Sequence, residues 1–211
     1  MSLRMSVVLA ALAVGCGDDE PMMDAGVDAG PMDASPDARM DDAMMADVGA
    51  DVGELHCASE SLLIAAVDPM NTVTIFNPGP DAVELMGTGW VLCQRPNYIQ
   101  LEMIEPGVTI EAGAVHEYPM PPAFFDQGDD GGELALYRVA SFTNPDTIRD
   151  YVCWGSGRTS SRLMTAEEAG IWSGECAPAI TGESLRRISG TSGTDAASYD
   201  ETGTTAELSC P

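Results

Sequence analysis

From residue 57 onward, short apolar runs alternate with clusters of Gly, Pro, Asn and Asp. Within the runs, apolar and polar positions follow a period of two, which is typical of half-buried strands bounded by turns. The pattern predicts strands near residues 62–67, 72–76, 90–94, 99–104, 108–110, 114–118, 133–138, 148–154 and 184–188. We therefore expect an all-β fold for this part of the chain.

One short helix interrupts the predicted strands. Thr165-Ala166-Glu167-Glu168 has the form of a capping box, and Gly170 follows as a terminator. Residues 189–207 are rich in Ser, Thr and Gly, which predicts a long loop with at most one edge strand.

The N-terminal residues have the pattern of an export signal. Arg4 precedes an apolar run at 7–14, and small Gly15 precedes Cys16. Eight apolar residues cover only about 12 Å as a helix, against roughly 30 Å of hydrocarbon, so the run predicts a signal peptide and not a membrane span.

Ala13-Val14-Gly15-Cys16 resembles a lipobox, with alanine where leucine is usual. We expect residues 1–15 to be removed and Cys16 to be lipidated. An ordinary secretory signal with a chance cysteine is the alternative. Gly17 follows in place of the aspartate that retains lipoproteins in the inner membrane of enteric bacteria, which favours the outer membrane without indicating which face.

Residues 16–56 form a predicted spacer between this anchor and the β-rich part. Residues 17–56 carry twelve acids against the single base Arg39, and no aromatic ring apart from that of His56. Such a composition buries too little surface to offset the entropy of ordering, so we expect an acidic, disordered tether. All Trp, Tyr and Phe residues lie in residues 57–211, which we expect to form one domain.

A series of motifs follows in a definite order along residues 62–155. They are Leu62-Leu63-Ile64-Ala65-Ala66-Val67, Ile75-Phe76-Asn77-Pro78-Gly79, Val83-Glu84-Leu85, Gly89-Trp90-Val91-Leu92, Val108-Thr109-Ile110-Glu111-Ala112-Gly113, Gly132-Glu133-Leu134-Ala135-Leu136-Tyr137 and Ile148-Arg149-Asp150-Tyr151-Val152-Cys153-Trp154-Gly155. In order and spacing they resemble the lamin tail domain family, and Ser184-Leu185-Arg186-Arg187 is similar to an arginine-bearing element that often follows. Thr74 stands where the family usually has an acid, and residues 156–183 match nothing in it. The resemblance implies an immunoglobulin-like β-sandwich, a fold used mainly for binding and as a structural module.

Several kinds of catalysis are excluded by composition. The chain has no lysine, which removes P-loop nucleotide binding and pyridoxal Schiff-base chemistry. His116 begins a segment that imitates a zinc-protease helix for two residues, but Met120 replaces the second histidine and Pro119 would disrupt the helix. We interpret His116 as an ordinary strand residue and expect no catalytic site and no cofactor.

An acidic loop at residues 126–133 is the remaining chemical candidate. Asp126, Asp129 and Asp130 are weak calcium candidates, and Gly131 occupies the sixth position of an EF-hand-like loop. The third and twelfth positions lack ligands, so we expect a solvated hairpin loop. The alternative is a calcium-dependent or hydrolytic enzyme whose site lies between Asp126 and Glu133 and in residues 156–183.

The charge of the chain argues against nucleic acid as a partner. The formal net charge is −25, and residues 57–211 hold 22 acids and seven arginines, a net of −15. Phosphate would be repelled. Arg186 and Arg187 are adjacent strand residues that face opposite sides, so they cannot form one basic patch.

The cysteines point to an oxidising compartment. The predicted domain holds Cys57, Cys93, Cys153, Cys176 and Cys210, an odd set that predicts two disulfides and one leftover thiol. Pairing of Cys153 with Cys176 would fasten the unmatched segment to a strand end, while pairing of Cys93 with Cys153 is the main competitor.

Together these patterns favour a membrane-anchored envelope lipoprotein displaying a non-catalytic module that binds a protein or a glycan. A purely structural surface spacer is the other reading. A concave pocket lined by convergent polar groups would favour the enzyme alternative, whereas convex sheet faces alone would favour a binding module or a spacer.

Overall fold

The computed structural model describes residues 61–125, 131–156, 160–202 and 208. This part of the chain contains two α-helices, α1 (Leu101–Ile104) and α2 (Ser161–Glu168), and a 3-10 helix at Ala196–Ser198. Its strands are β1 (Leu63–Asp68), β2 (Thr72–Phe76), β3 (Val83–Glu84), β4 (Val91–Gln94), β5 (Asn97–Gln100), β6 (Thr109–Ile110), β7 (Val115–Pro119), β8 (Gly131–Tyr137), β9 (Ile148–Gly155), β10 (Leu185–Arg187) and β11 (Tyr199–Asp200). The predicted all-β fold is confirmed.

Two larger sheets enclose one core. The five-stranded sheet has the order β11-β10-β1-β2-β7, the four-stranded sheet has the order β5-β4-β8-β9, and β3 pairs with β6. The paired strands are antiparallel. Ile64 and Ile75 of the first sheet share one buried cluster with Leu134 and Val152 of the second. The hydrophobic runs of both sheets therefore pack against a common interior.

A β-bulge shapes the central strand of the five-stranded sheet. The register of β1 against β2 shifts between Ile64 and Ala66, which leaves Ala65 as the extra residue. Ile64 stays in the main core, whereas Ala65 joins Leu63 and Phe76 in a second small cluster, against which Leu208 packs. Because of this shift, the alanine pair does not continue the simple alternation of the strand.

A buried ion pair joins the two sheets. Arg187 Nη2 of β10 lies 2.5 Å from Asp150 Oδ2 of β9, and both side chains are almost fully buried. The same carboxylate oxygen accepts the Ile64 amide at 2.6 Å, and Arg187 Nε donates to the Ile64 carbonyl at 3.1 Å. Burial by itself would lower the pKa of Arg187, but the Asp150 carboxylate reverses the effect, so that pKa lies above its ordinary value.

The predicted strand at 99–104 is wrong in its second half. The β-ladder between β4 and β5 ends at Gln100, and Leu101 begins helix α1. Leu101 is buried and Ile104 is half-buried, whereas Met103 between them is exposed. Leu101 and Ile104 are three residues apart, the spacing of one helix face. The alternation of apolar and polar residues at 99–101 instead predicted a continuing strand.

The predicted helix begins earlier than its capping-box motif suggested. Helix α2 starts at Ser161, and Ser160 is its N-cap, accepting the amides of Arg162 and Leu163 at 3.1 Å each. Thr165, the expected cap, lies inside the helix and donates its hydroxyl to the Ser161 carbonyl at 2.8 Å. Gly170 does end the helix, with a positive φ of 69° after the C-cap.

Candidate functional site

A polar concavity, the feature expected of an enzyme from the sequence, lies on the face of the five-stranded sheet opposite the core. We call it the outer hollow; its volume is about 280 Å³. Four adjacent strands and the loop before β10 supply its lining, which consists of Ala66, Asp68, Thr72, Thr74, Glu117, Glu183, Ser184 and Arg186.

The strand register explains why this face is concave. Ala66 at the centre pairs with Arg186 on one side and with Thr74 on the other, and Thr74 pairs in turn with Glu117. Neighbouring strands are about 4.8 Å apart, so the long side chains of Arg186 and Glu117 stand about 14 Å apart across the row. Small residues therefore form the floor and long charged residues form the rim.

Carboxylates dominate the rim. Asp68, Glu117 and Glu183 face a single guanidinium, that of Arg186, whose Nε donates to Ser184 Oγ at 2.8 Å. Asp68 is held by the turn after β1, where it accepts the Met70 amide at 2.9 Å. Glu117 and Glu183 are exposed and make no ion pair or hydrogen bond with the residues that the structure describes.

Thr74 forms the buried part of the floor. Its side chain is only 6% exposed and lines the outer hollow. Within residues 61–125, 131–156, 160–202 and 208, no group hydrogen-bonds its hydroxyl. The hydroxyl is not among the enclosed polar atoms that lack a partner, so it opens into the hollow, where water or a ligand can hydrogen-bond it.

Glu133, predicted both as the end of a solvated loop at 126–133 and as the start of a strand at 133–138, is a strand residue and not a loop residue. It lies in β8, is 1% exposed, and accepts hydrogen bonds from Tyr151 Oη at 2.8 Å and Ser160 Oγ at 2.5 Å. Burial raises the pKa of Tyr151 well above its ordinary value, and the Glu133 carboxylate adds to the effect. This arrangement ties the N-terminus of α2 to the β8–β9 hairpin.

The calcium candidates Asp126, Asp129 and Asp130 lie outside the described residues. In the portion that is described, no group of three or more His, Cys, Asp or Glu side chains is placed to hold a metal ion.

His116 and the pair Arg186 and Arg187 lie on strands, as the sequence predicted. His116 is a residue of β7, with Nε2 3.0 Å from Glu105 Oε2. Arg186 and Arg187 point to opposite sides of β10, one toward the outer hollow and the other into the core ion pair.

The predicted Cys153–Cys176 disulfide is confirmed, and it closes a sequence separation of 23 residues. The competing Cys93–Cys153 pairing is therefore wrong. Cys93 is a fully buried thiol in β4. Cys16, Cys57 and Cys210 lie outside the described residues.

No protein-family model, curated protein or solved structure matches this chain. None of the helices in the described residues has the length and apolar character needed to cross a membrane.

Proposed function

We propose that the chain is a lipid-anchored envelope protein whose domain at residues 57–211 is a non-catalytic binding module, with the outer hollow as its binding surface. The observation that carries this proposal is the floor of the hollow, where Thr74 is 94% buried without an intramolecular partner for its hydroxyl. Its hydroxyl is not among the enclosed polar atoms that lack a partner, so it opens into the hollow and can hydrogen-bond a ligand there.

We also propose that the domain is an immunoglobulin-like sandwich of the lamin tail type. Two antiparallel sheets on one core support this, as does the arginine-bearing segment that forms β10 next to β1. We propose the lamin tail family for the fold only. The binding role of the domain is proposed from the outer hollow alone.

In this proposal, the lipid anchor and the tether set how far the domain lies from the membrane. Lipid on Cys16 would hold the chain at the membrane, in our proposal the outer one, and a flexible chain of 40 residues has a root-mean-square reach of about 35 Å. Repulsion among its twelve acids would extend it further. The domain would thus reach a partner at a distance from its own membrane.

Site-specific photocrosslinking in the producing cell tests the binding surface. A photoreactive amino acid replaces Thr72, which lines the hollow, or Met164, which is 57% exposed on α2. Since α2 packs against β9 of the other sheet, Met164 is the matched control. We expect an adduct from position 72 that position 164 does not give. Equal adducts, or none at position 72, would favour a structural spacer.

A further inference from the structure

We infer that the outer hollow binds one positively charged side chain, arginine or lysine, presented by a partner protein. This inference rests on the proposed function, because it names the ligand of that same surface.

The charge of the hollow favours a cationic ligand. Its rim holds three carboxylates and one guanidinium, and the guanidinium is already bonded to Ser184. Glu117 and Glu183 have no intramolecular partner in the described residues, so both are available to a cation. A concave surface of one dominant sign concentrates the opposite charge, and the net charge of −25 steers cations toward the molecule from a distance.

The floor of the hollow offers a hydrogen-bond acceptor to such a ligand. Guanidinium and ammonium groups are donors only, and a threonine hydroxyl accepts hydrogen bonds as well as donating them. A basic side chain that enters between Glu117 and Glu183 would place its N–H groups over Thr74. The Thr74 hydroxyl would accept a hydrogen bond from that group, whereas a carboxylate ligand would be repelled by the carboxylates of the rim.

The size and lining of the hollow favour a single side chain as the ligand. Its volume of about 280 Å³ is small and its walls are polar, whereas sites for drug-sized molecules are larger and mostly apolar. No aromatic ring is among the lining residues, so a sugar would find no flat apolar surface on which to pack. A single extended side chain fits this description best.

Titration of the purified full chain with small probes tests the inference. The probes are Nα-acetyl-arginine amide and its neutral isostere Nα-acetyl-citrulline amide, followed by NMR shifts of the Ala66 and Thr74 amides. We expect saturable shifts with the arginine probe that weaken at higher ionic strength, and no shifts with the citrulline probe. Equal binding of both probes, or tighter binding of glucosamine or calcium ion, would overturn the inference.

Two glutamate variants locate the binding. Glu117→Gln removes a rim charge on the exposed side of β7 and should lower the affinity for the arginine probe roughly two- to fivefold, the range of an exposed ion pair. Glu111→Gln makes the same charge change at an exposed residue outside the hollow and should leave the affinity unchanged. Equal losses in both variants would indicate attraction by net charge alone and would contradict the assignment.

Thr74→Val tests the floor, because valine keeps the branched shape and removes the hydroxyl. We expect weaker binding of the arginine probe with an unchanged circular dichroism spectrum, and unchanged affinity would contradict the role of Thr74.

Failure of this inference differs from failure of the proposed function. A position-72 adduct in cells that the arginine probe does not compete away would overturn the ligand and leave the binding surface standing. Specific binding of the arginine probe in vitro, with no adduct at position 72 in cells, would support the affinity of the hollow for a basic side chain. It would contradict the proposed role of the hollow as a binding surface in the cell.

Discussion

Gly193 lies directly against the guanidinium of Arg187. A Cβ built on Gly193 would stand 1.3 Å from Arg187 Nη1, and the glycine has a φ of +73°. The guanidinium cannot move aside freely, because it is buried and paired with Asp150. Residue 193 therefore lacks a side chain so that the ion pair between the two sheets can form.

Gly193→Ala should destabilise the domain well beyond the cost of a strained backbone. Gly190 is the matched control, since its φ is +77° and nothing lies within 4 Å of an added Cβ. We expect Gly190→Ala to lower the free energy of unfolding by about 1–2 kcal/mol through strain alone. Gly193→Ala should lose about 3 kcal/mol more, because a displaced guanidinium leaves the Asp150 carboxylate buried and unpaired. Urea unfolding of the full chain measures both, and equal losses would show that the contact with Arg187 is unimportant.

The Cys153–Cys176 disulfide should contribute about 3 kcal/mol, mainly by limiting the unfolded chain, given its loop of roughly two dozen residues. Cys176→Ser and the double variant Cys153→Ser/Cys176→Ser should lower the free energy of unfolding by similar amounts. Because Cys153 is buried in the core and Cys176 is half-buried, the single change at Cys176 is the gentler test. A midpoint of urea unfolding unchanged by Cys176→Ser would contradict the expected contribution.

The fold should lose stability at alkaline pH. Burial raises the pKa of Tyr118, Tyr151 and Tyr199, with Glu105 as a further cause at Tyr118. The folded chain therefore holds these protons more tightly than the unfolded chain, in which tyrosine titrates near pH 10. The resulting stability is fully present below about pH 10 and falls above it, by about 1.4 kcal/mol per pH unit for each tyrosine.

We expect tyrosinate absorbance to rise together with loss of the β circular dichroism signal. Tyr118→Phe should shift this transition to higher pH, since the Tyr118 hydroxyl makes no hydrogen bond within the described residues. Ionisation of all tyrosines with the circular dichroism signal retained would refute the coupling.

Cys16 should be the lipidated N-terminus of the mature protein. Mass spectrometry of the N-terminal peptide from producing cells should find acyl chains on Cys16, and Cys16→Ser should release or mislocalise the chain. Two or more chains anchor a protein stably, so the wild type should stay with membranes in high salt. An unmodified N-terminus at another residue would contradict the anchor.

A second disulfide should join Cys57 to Cys210. Leu208 packs against the cluster of Leu63, Ala65 and Phe76, so the chain two residues before Cys210 lies beside the first strand. Cys153 and Cys176 are already joined to each other, so neither is available to Cys57 or Cys210. Peptide mapping without reduction should yield one fragment containing Cys57 and Cys210, and a link from Cys93 to either would contradict this pairing.

Local patterns predicted the strands, but contacts between distant segments decided the site. The strand predicted at 72–76 is β2, and its residues Thr72 and Thr74 line the outer hollow. Nothing local indicated that β10, more than one hundred residues further on, pairs with β1, and that pairing brings Arg186 opposite Ala66. The outer hollow was therefore beyond sequence reasoning.

Two buried acids, Asp150 and Glu133, are next to apolar residues in the sequence. Each comes directly before a predominantly apolar strand segment, where a buried charge requires a partner. The partners are Arg187 for the first, and Tyr151 and Ser160 for the second. Ser160 also caps α2, so its role depends on a tertiary contact that the capping-box pattern at Thr165 could not reveal.

The Ile64 amide has an unusual acceptor for a residue in a central strand. It donates to the Asp150 carboxylate of the opposite sheet, at 2.6 Å. Hydrogen exchange at this one amide would consequently report on separation of the two layers, whereas exchange at neighbouring strand amides reports on their own ladders. A single resonance could then time the moment when the layers close during refolding.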